Sequence, residues 1–143
     1  MQDKTRRTVT IIITSAVVIF LLIQIVPIIK LTNPPVVAEP QWDSAGTRTL
    51  ARRACFDCHS NETVWPWYAH VAPVKWLVVH DVTEGRDMFN FSDWHGELSS
   101  DHLSAAISRG AMPLPIYLMM HPQARLTEQE KQQLCSGLGA SIK

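Results

Sequence analysis

Near its N-terminus the chain has a long stretch without charge. The 22 residues of the range Thr8–Ile29 read TVTIIITSAVVIFLLIQIVPII and include no Asp, Glu, Lys or Arg. As a helix they would measure roughly 33 Å, about the thickness of the hydrocarbon core of a bilayer. Lys4, Arg6 and Arg7 precede the stretch, and by the positive-inside rule they keep the N-terminus in the cytoplasm. The sequence therefore predicts a basic stub and one transmembrane helix within residues 1–30, with the rest of the chain exported.

A cleaved signal peptide is the alternative interpretation of this stretch. The apolar region of a signal peptide is usually about 7 to 15 residues long and ends at a site of small residues. The run in this chain is longer, and its one candidate site, Val36-Val37-Ala38, fits that pattern poorly. The sequence therefore favours an uncleaved membrane anchor.

Three prolines separate the anchor from the remaining chain. Residues 31–42, LTNPPVVAEPQW, are predicted to form an extended, semi-rigid spacer, because prolines at this density disfavour packed elements. Residues 43–143 then form the folded domain. Lys and Arg together number 13, as do Asp and Glu. The absence of a basic excess excludes nucleic acid as an expected partner.

Helix signals outweigh strand signals in the domain, where apolar and polar residues nowhere alternate for long. Three segments combine a capping signal with apolar residues at helical spacing: 43–53 (cap Asp43 or Ser44), 99–110 (cap Ser99, Ser100 or Asp101, stop Gly110) and 127–138 (capping box Thr127 with Glu130). Residues 75–80 fit a helix or a strand equally well. The sequence predicts an all-α domain of about four short helices joined by long, proline-rich loops.

The most informative motif is a C-x-x-C-H pentad, Cys55-Phe56-Asp57-Cys58-His59. Two thiols three residues apart on one helical turn point the same way and can form thioethers with the two vinyl groups of a haem. The residue that follows then faces the iron. The pentad predicts one covalent haem c, bound through Cys55 and Cys58, with His59 as an axial ligand of the iron.

Other chemistries use two cysteines at this spacing. A thioredoxin-like redox pair needs a βαβ setting, which the pattern does not show. A zinc site needs a second pair of ligands at finger-like spacing, and His70 is not part of one. A disulfide between Cys55 and Cys58 would leave the adjacent histidine unexplained. The third cysteine, Cys135, follows Leu134 on the last predicted helix and is expected to be a buried free thiol.

A second axial ligand is expected at Met112. This residue lies in Gly110-Ala111-Met112-Pro113-Leu114-Pro115, where the prolines stiffen a loop after a helix end. A rigid loop can hold a weak iron–sulfur bond in place. The alternatives are an open sixth position or another ligand: Met119, Met120 or a histidine such as His70 or His80.

Aromatic and basic side chains are candidates for further cofactor contacts. Trp65, Trp67 and Tyr68, with Trp76, supply apolar area that would surround a flat cofactor and exclude water. We expect the second ring nitrogen of His59 to bond a carbonyl near Pro66 or Pro73. Candidates to pair with the haem propionates are Arg52, Arg53, Lys75, Arg86 and Arg109.

Taken together, these motifs resemble the bacterial haem-binding domain family of membrane-anchored, single-haem c-type cytochromes. The resemblance covers about residues 39–138. It implies a cytochrome-c-like fold with covalent haem at Cys55 and Cys58, axial His59 and, on the other side, Met112. The matching strings are Cys55–Thr63, Trp65–Tyr68, Ala72–Pro73, His80–Val82, Glu84–Arg86, Asn90–Trp94, Met112–Tyr117, His121–Pro122 and Leu126–Thr127.

The expected function is single-electron transfer by a membrane-anchored cytochrome c. The haem domain would lie on the periplasmic or outer face of a bacterial inner membrane and exchange electrons with redox partner proteins, such as those of a respiratory complex. On this interpretation the chain is not an enzyme. Two alternatives stay open. A haem sensor or peroxidase-like enzyme would need an open or displaceable sixth ligand, and a structural haem subunit would stay bound within a respiratory complex.

Overall fold

The uncharged N-terminal stretch forms helix α1 (Gln2–Gln24) in a computed structural model that describes residues 2–26, 31–96 and 98–142. From Asp3 to Gln24 this helix is long and apolar enough to cross a membrane, a property it shares with signal sequences. Most of its large apolar side chains are exposed. The last residues of the predicted span, 27–29, and Lys30 lie outside the described residues.

The chain divides into two units. The first unit comprises the described residues of ranges 1–31 and 65–80, and the second those of ranges 32–64 and 81–143. The first contains α1 and a 3₁₀ turn, Trp67–His70. Helix α4 (Val74–Met88) begins in the first unit and ends in the second. The other elements of the second unit are α2 (Ala45–Ala54), α3 (Phe56–His59), α5 (Ser100–Ser108), α6 (Pro115–Met120), a 3₁₀ turn (Pro122–Ala124) and α7 (Glu128–Ser141).

Three predicted helices are confirmed together with their caps. Ser44 caps α2 by accepting from the Thr47 amide, and Ser99 caps α5. Thr127 and Glu130 form the predicted capping box of α7, each side chain accepting from the backbone amide of the other. The predicted stop of α5, Gly110, has a φ of +72°, a conformation that glycine adopts without strain.

The prediction of about four short helices was too low. Across the part of the chain that the structure describes, six α-helices follow α1, and β pairing is limited to one bridge between Ala38 and Asp93. The longest of the six, α4, occupies the stretch 75–80 that fitted either a helix or a strand. Its apolar residues do not form one clear stripe, and it is preceded by Pro73, whose side chain cannot cap a helix, so the sequence pattern is weak there.

The hydrophobic core of the second unit lies between α2, α5 and α7 and the aromatic residues that follow α4. Phe91 is its central ring. It stacks on the rings of Phe56 and Trp94, with distances between ring centroids of 5.5 and 5.9 Å. Its centroid lies 5.2 Å from that of Trp42. Cys135 is a free thiol, partly buried against this core. Since Phe56 belongs to the C-x-x-C-H pentad, the core and the pentad form one packed structure.

Residues 32–42 run in an extended conformation along the second unit. Their amides and carbonyls bond Ser92 and Trp94: Val37 N donates to Ser92 O at 2.7 Å, and Trp94 N donates to Ala38 O at 3.0 Å. The side chain of Asn61 donates to Pro35 O at 2.8 Å. The interpretation of this segment as a spacer did not foresee these hydrogen bonds, because their partners are distant in sequence.

The end of this segment is fixed by a partly buried cluster of charged side chains. Glu39 accepts hydrogen bonds from Nε and a terminal nitrogen of Arg48, at 2.7 and 2.6 Å, and from Nε1 of Trp42 at 2.7 Å. The bonds from Arg48, and then that from Trp42, hold the pKa of Glu39 below its ordinary value of 4.5. A carboxyl group with a lowered pKa in the folded state stabilises the fold most when it is ionised.

Glu39→Gln should lower the free energy of unfolding by about 1–2 kcal/mol at pH 7. The lowered pKa gives the wild-type chain a stability that is complete above pH 4.5 and is lost as the pH falls through the folded-state value. The difference between variant and wild type should therefore shrink in that acid range. Urea unfolding followed by circular dichroism from pH 7 to pH 3 measures it. Glu128→Gln, at an exposed ion pair, is the control and should have little effect.

Candidate functional site

The C-x-x-C-H pentad lies at the junction of two helices. Helix α2 ends at Ala54, and the amide of Cys55 still donates to Ala51 O at 2.8 Å. The chain then enters α3 directly, where the amides of Cys58 and His59 donate to the carbonyl of Cys55 at 3.2 and 2.9 Å. About one helical turn separates the two cysteines, and both thiols are free.

His59 is buried and held at one ring nitrogen. Its side chain is 6% exposed, and Nδ1 lies 2.8 Å from Gly85 O and 3.4 Å from Phe89 O. A carbonyl oxygen only accepts, so Nδ1 carries the hydrogen and the lone pair of Nε2 is left for a metal. Burial lowers the pKa of His59 below 6.5, against the raising effect of these two carbonyls. The ring is therefore neutral at pH 7, and it stacks on Phe89 at 4.0 Å.

The expectation of a carbonyl near Pro66 or Pro73 was wrong, because the partner of His59 is Gly85 on α4. The approach of α4 explains why a glycine occupies this position. A Cβ built on Gly85 would lie 2.5 Å from the carbonyl oxygen of Cys58 and 3.1 Å from its Cβ. A side chain there would force α4 away from the pentad, so glycine at this position is what lets its carbonyl reach His59.

The two thiols are protonated at neutral pH. Burial, and then the neighbouring Cys58, raises the pKa of Cys55 to about 12. Burial, and then the carboxylates of Asp81 and Asp57, raises the pKa of Cys58 to about 12. Thioredoxin-like enzymes attack with a cysteine whose pKa is lowered. The environment of this pair therefore argues against the thiol–disulfide alternative.

Met112 lies on a loop between α5 and α6. The amides of Ala111 and Met112 both donate to Ala106 O, at 2.9 and 3.2 Å, so the loop is bonded back onto α5. The side chain of Met112 is partly buried. The other methionines considered as ligands, Met119 and Met120, are 77% and 58% exposed. Met112 is therefore the least exposed of these three methionines.

A hydrogen bond that the sequence did not reveal joins this region to the pentad. Tyr117, on α6, donates its hydroxyl hydrogen to Oδ2 of Asp57 at 2.6 Å. Asp57 is the second residue between the two cysteines. Its other oxygen accepts from the amide of Val64 at 2.9 Å. The helix that follows the Met112 loop is therefore tied to the segment that carries Cys55 and Cys58, across 60 residues of sequence.

These residues fit a haem. Two thiols one turn apart match the two vinyl edges of the porphyrin, and a buried, neutral imidazole with a fixed tautomer is a suitable iron ligand. The sequence profile of the family described as haem-binding domain matches residues 18–140. The chain belongs to the haem-binding domain family. No curated protein and no solved structure matches it.

The match to this haem-binding family extends beyond the predicted domain of residues 43–143. It includes the extended segment 32–42 and the C-terminal part of α1. The hydrogen bonds between residues 32–42 and the rest of the second unit give a physical reason why the match includes this segment.

The haem-binding residues predicted from the sequence fall in both units. Cys55, Cys58, His59 and Met112 lie in the second unit, whereas Trp65, Trp67 and Tyr68 lie in the first. The rings of Trp67 and Tyr68 meet edge to face at 5.7 Å, and Trp67 is 73% exposed. Haem contact by these three aromatic residues stays a prediction.

Three of the five basic residues suggested as propionate partners have partners within the protein. Arg52 pairs with Glu62, and Arg53 with Glu130. Arg86 bonds four oxygens of the second unit, namely Ser60 O, Thr32 O, Asn33 Oδ1 and Thr63 Oγ1. Arg86 therefore fastens the extended segment to the residues that follow the pentad in this haem-binding domain.

Tyr117→Phe should lower the free energy of unfolding by about 1–2 kcal/mol, because it removes a hydrogen bond to the charged Asp57. Urea unfolding of Tyr117→Phe, Asp57→Asn and the double variant gives the coupling between the two side chains. We expect the double variant to be more stable than the sum of the single effects predicts. Additive effects would show that the bond contributes nothing.

Proposed function

We propose that this haem protein is a c-type cytochrome that carries single electrons. The proposal assigns thioether bonds to Cys55 and Cys58, the proximal iron ligand to Nε2 of His59 and the distal ligand to the sulfur of Met112. The observation that carries it is the geometry of His59, a buried imidazole whose Nδ1–H is fixed by Gly85 O directly after two free thiols. A haem iron bound in this way supplies reversible one-electron oxidation and reduction.

The protein's own residues would set the properties of that centre. Gly85 O fixes the tautomer of His59 and raises its basicity as a ligand. Phe89 covers one face of the His59 ring, and Phe56 and Phe91 continue the apolar wall into the core. Water is kept from this side of the ligand, which is one of the means by which proteins tune an iron centre.

Met112 is proposed as the distal ligand on three grounds. Its loop is bonded back to Ala106, it is less exposed than Met119 and Met120, and the bond from Tyr117 to Asp57 ties the following helix to the pentad. A histidine and methionine pair favours a relatively high reduction potential, which suits a carrier.

Membrane anchoring by α1 is part of the same proposal. From Thr8 to its end at Gln24 the helix has no charged residue, and Lys4, Arg6 and Arg7 precede this part. By the positive-inside rule, this charge distribution supports a haem-binding unit on the exported side of the membrane, where redox partner proteins would meet it.

Covalent attachment is tested on the full chain expressed with a haem-attachment system. We expect haem staining of a denatured band near 16 kDa, and retention of the pigment after extraction with acidified acetone. Cys55→Ser with Cys58→Ser is the matched control and should lose the stain. Complete extraction of the pigment from the wild-type chain would contradict covalent binding.

Distal ligation is tested by the absorption band of sulfur-to-iron charge transfer in the oxidised protein. Met112→Ala should abolish the band, and Met119→Ala, at an exposed position on α6, should keep it. Tight binding of carbon monoxide by the reduced wild-type protein would show an open or displaceable sixth ligand position. That result would favour a sensor or an enzyme over an electron carrier.

A further inference from the structure

The segment 65–80 of the first unit has an unusual composition. These 16 residues contain three of the five tryptophans of the chain and one of its two tyrosines. Lys75 is the one Lys, Arg, Asp or Glu among them, and two of the 16 are histidines. Tryptophan and tyrosine are enriched where membrane proteins cross the boundary between lipid and water, since their rings are apolar with one polar tip.

The segment is bonded to the end of α1. Gln24, the last residue of the helix, uses both ends of its side-chain amide on the backbone of Ala72. Its Oε1 accepts from Ala72 N at 2.9 Å, and its Nε2 donates to Ala72 O at 3.1 Å. Both residues belong to the first unit, so these bonds fix the height of the segment along the helix.

That height corresponds to the edge of a bilayer. Gln24 lies 16 residues after Thr8, which is about 24 Å along a helix. A hydrocarbon core is roughly 30 Å thick, so a helix that enters the membrane near Thr8 brings Gln24 close to the opposite surface. Ala72, bonded to Gln24, is then about 6 Å from that surface of the hydrocarbon core, among the first methylene groups below the lipid headgroups.

Apolar side chains before and after Ala72 in the sequence are exposed. Trp67 is 73% exposed, and Val74 and Leu77, one helical turn apart on α4, are each 44% exposed. Lys75 lies between them in sequence, with an aliphatic stem and a charged tip that can reach a phosphate group. An apolar surface with a basic edge and no acidic residue matches an anionic phospholipid surface.

We propose that residues 67–77 form a second membrane contact, in which Trp67, Val74 and Leu77 insert into the outer leaflet beside α1. This inference rests on the proposed membrane anchoring. Its consequence is that the chain meets the bilayer at two places in the first unit, the spanning helix and a shallow apolar surface at its exported end.

The test uses the full-length haem-loaded chain in vesicles of phosphatidylethanolamine and phosphatidylglycerol. A small fraction of the lipid carries a photoreactive diazirine on its acyl chain, and mass spectrometry locates the labelled peptides. We expect label in α1 and in residues 67–77, and none in α7. Label in α1 alone would overturn the second contact and leave the anchor intact. Absence of label from α1 would instead contradict membrane anchoring itself.

Leu77→Glu gives an independent measure. It should abolish the lipid label in residues 67–77 and leave the label in α1 unchanged, because a carboxylate is costly to insert into the leaflet. Ile116→Glu, at a similarly exposed apolar position on α6, is the matched control and should leave both labels unchanged. Circular dichroism checks that both variants fold. Undiminished labelling of 67–77 in a folded Leu77→Glu protein would contradict the proposed insertion.

Discussion

Gly137→Ala should lower the free energy of unfolding by roughly 2–3 kcal/mol, measured by urea denaturation of the full chain in detergent. A Cβ at position 137 would overlap the hydroxyl oxygen of Thr47 and lie 2.6 Å from its Cγ2. Thr47 cannot easily turn away, because it is 1% exposed and its hydroxyl lies 3.0 Å from Oγ of Ser44, the cap of α2. Helices α2 and α7 would have to separate.

Gly139→Ala, two residues further along α7, is the matched control. A Cβ at position 139 has no atom within 4 Å. Alanine is the better helix former, so this variant should be as stable as the wild type or more stable, by up to about 1 kcal/mol. If Gly137→Ala and Gly139→Ala changed the free energy of unfolding equally, the close contact between α2 and α7 would not be the reason why position 137 requires glycine.

Gly85→Ala is the second large effect that we expect, and it acts at the candidate site. Its Cβ would lie 2.5 Å from the carbonyl oxygen of Cys58, so α4 must move away from the pentad and the bond from Gly85 O to His59 is stretched or lost. We expect a loss of about 2–3 kcal/mol in unfolding free energy. If His59 binds iron as proposed, the reduction potential should also rise, because a less basic imidazole stabilises ferric iron less.

The two readouts separate structure from ligation. The stability loss is measured by urea unfolding and the potential by redox titration of the haem-loaded protein, with Gly139→Ala as the control for both. A stability loss without any change in potential would show that the hydrogen bond at Nδ1 does not tune the iron. An unchanged stability would contradict the close approach of α4 to Cys58.

Local signals in the sequence predicted the helices that begin with a capping side chain. Ser44, Ser99 and the pair Thr127 with Glu130 each bond an amide within three residues, so the sequence around them contains the whole interaction. The sequence of α4 fits a helix or a strand because a proline, which cannot cap a helix, precedes it and its apolar residues form no clear stripe. Its conformation is determined by packing against other parts of the chain. Segment 32–42 is predicted to be an extended, semi-rigid spacer, and the sequence does not indicate its contacts, because the partners of its backbone groups lie 26 to 56 residues away in sequence.

The amino-acid sequence alone shows the groups that carry the chemistry of this protein: a C-x-x-C-H pentad, a methionine followed by two nearby prolines and an apolar N-terminal helix. These features depend on residue type and short spacing, which a single turn of backbone converts into geometry. Tertiary structure alone decided that Gly85 O holds His59, that Tyr117 bonds Asp57 and that Gln24 holds Ala72. Those contacts join residues 26, 60 and 48 positions apart, and only the packing of helices against one another sets which backbone groups meet.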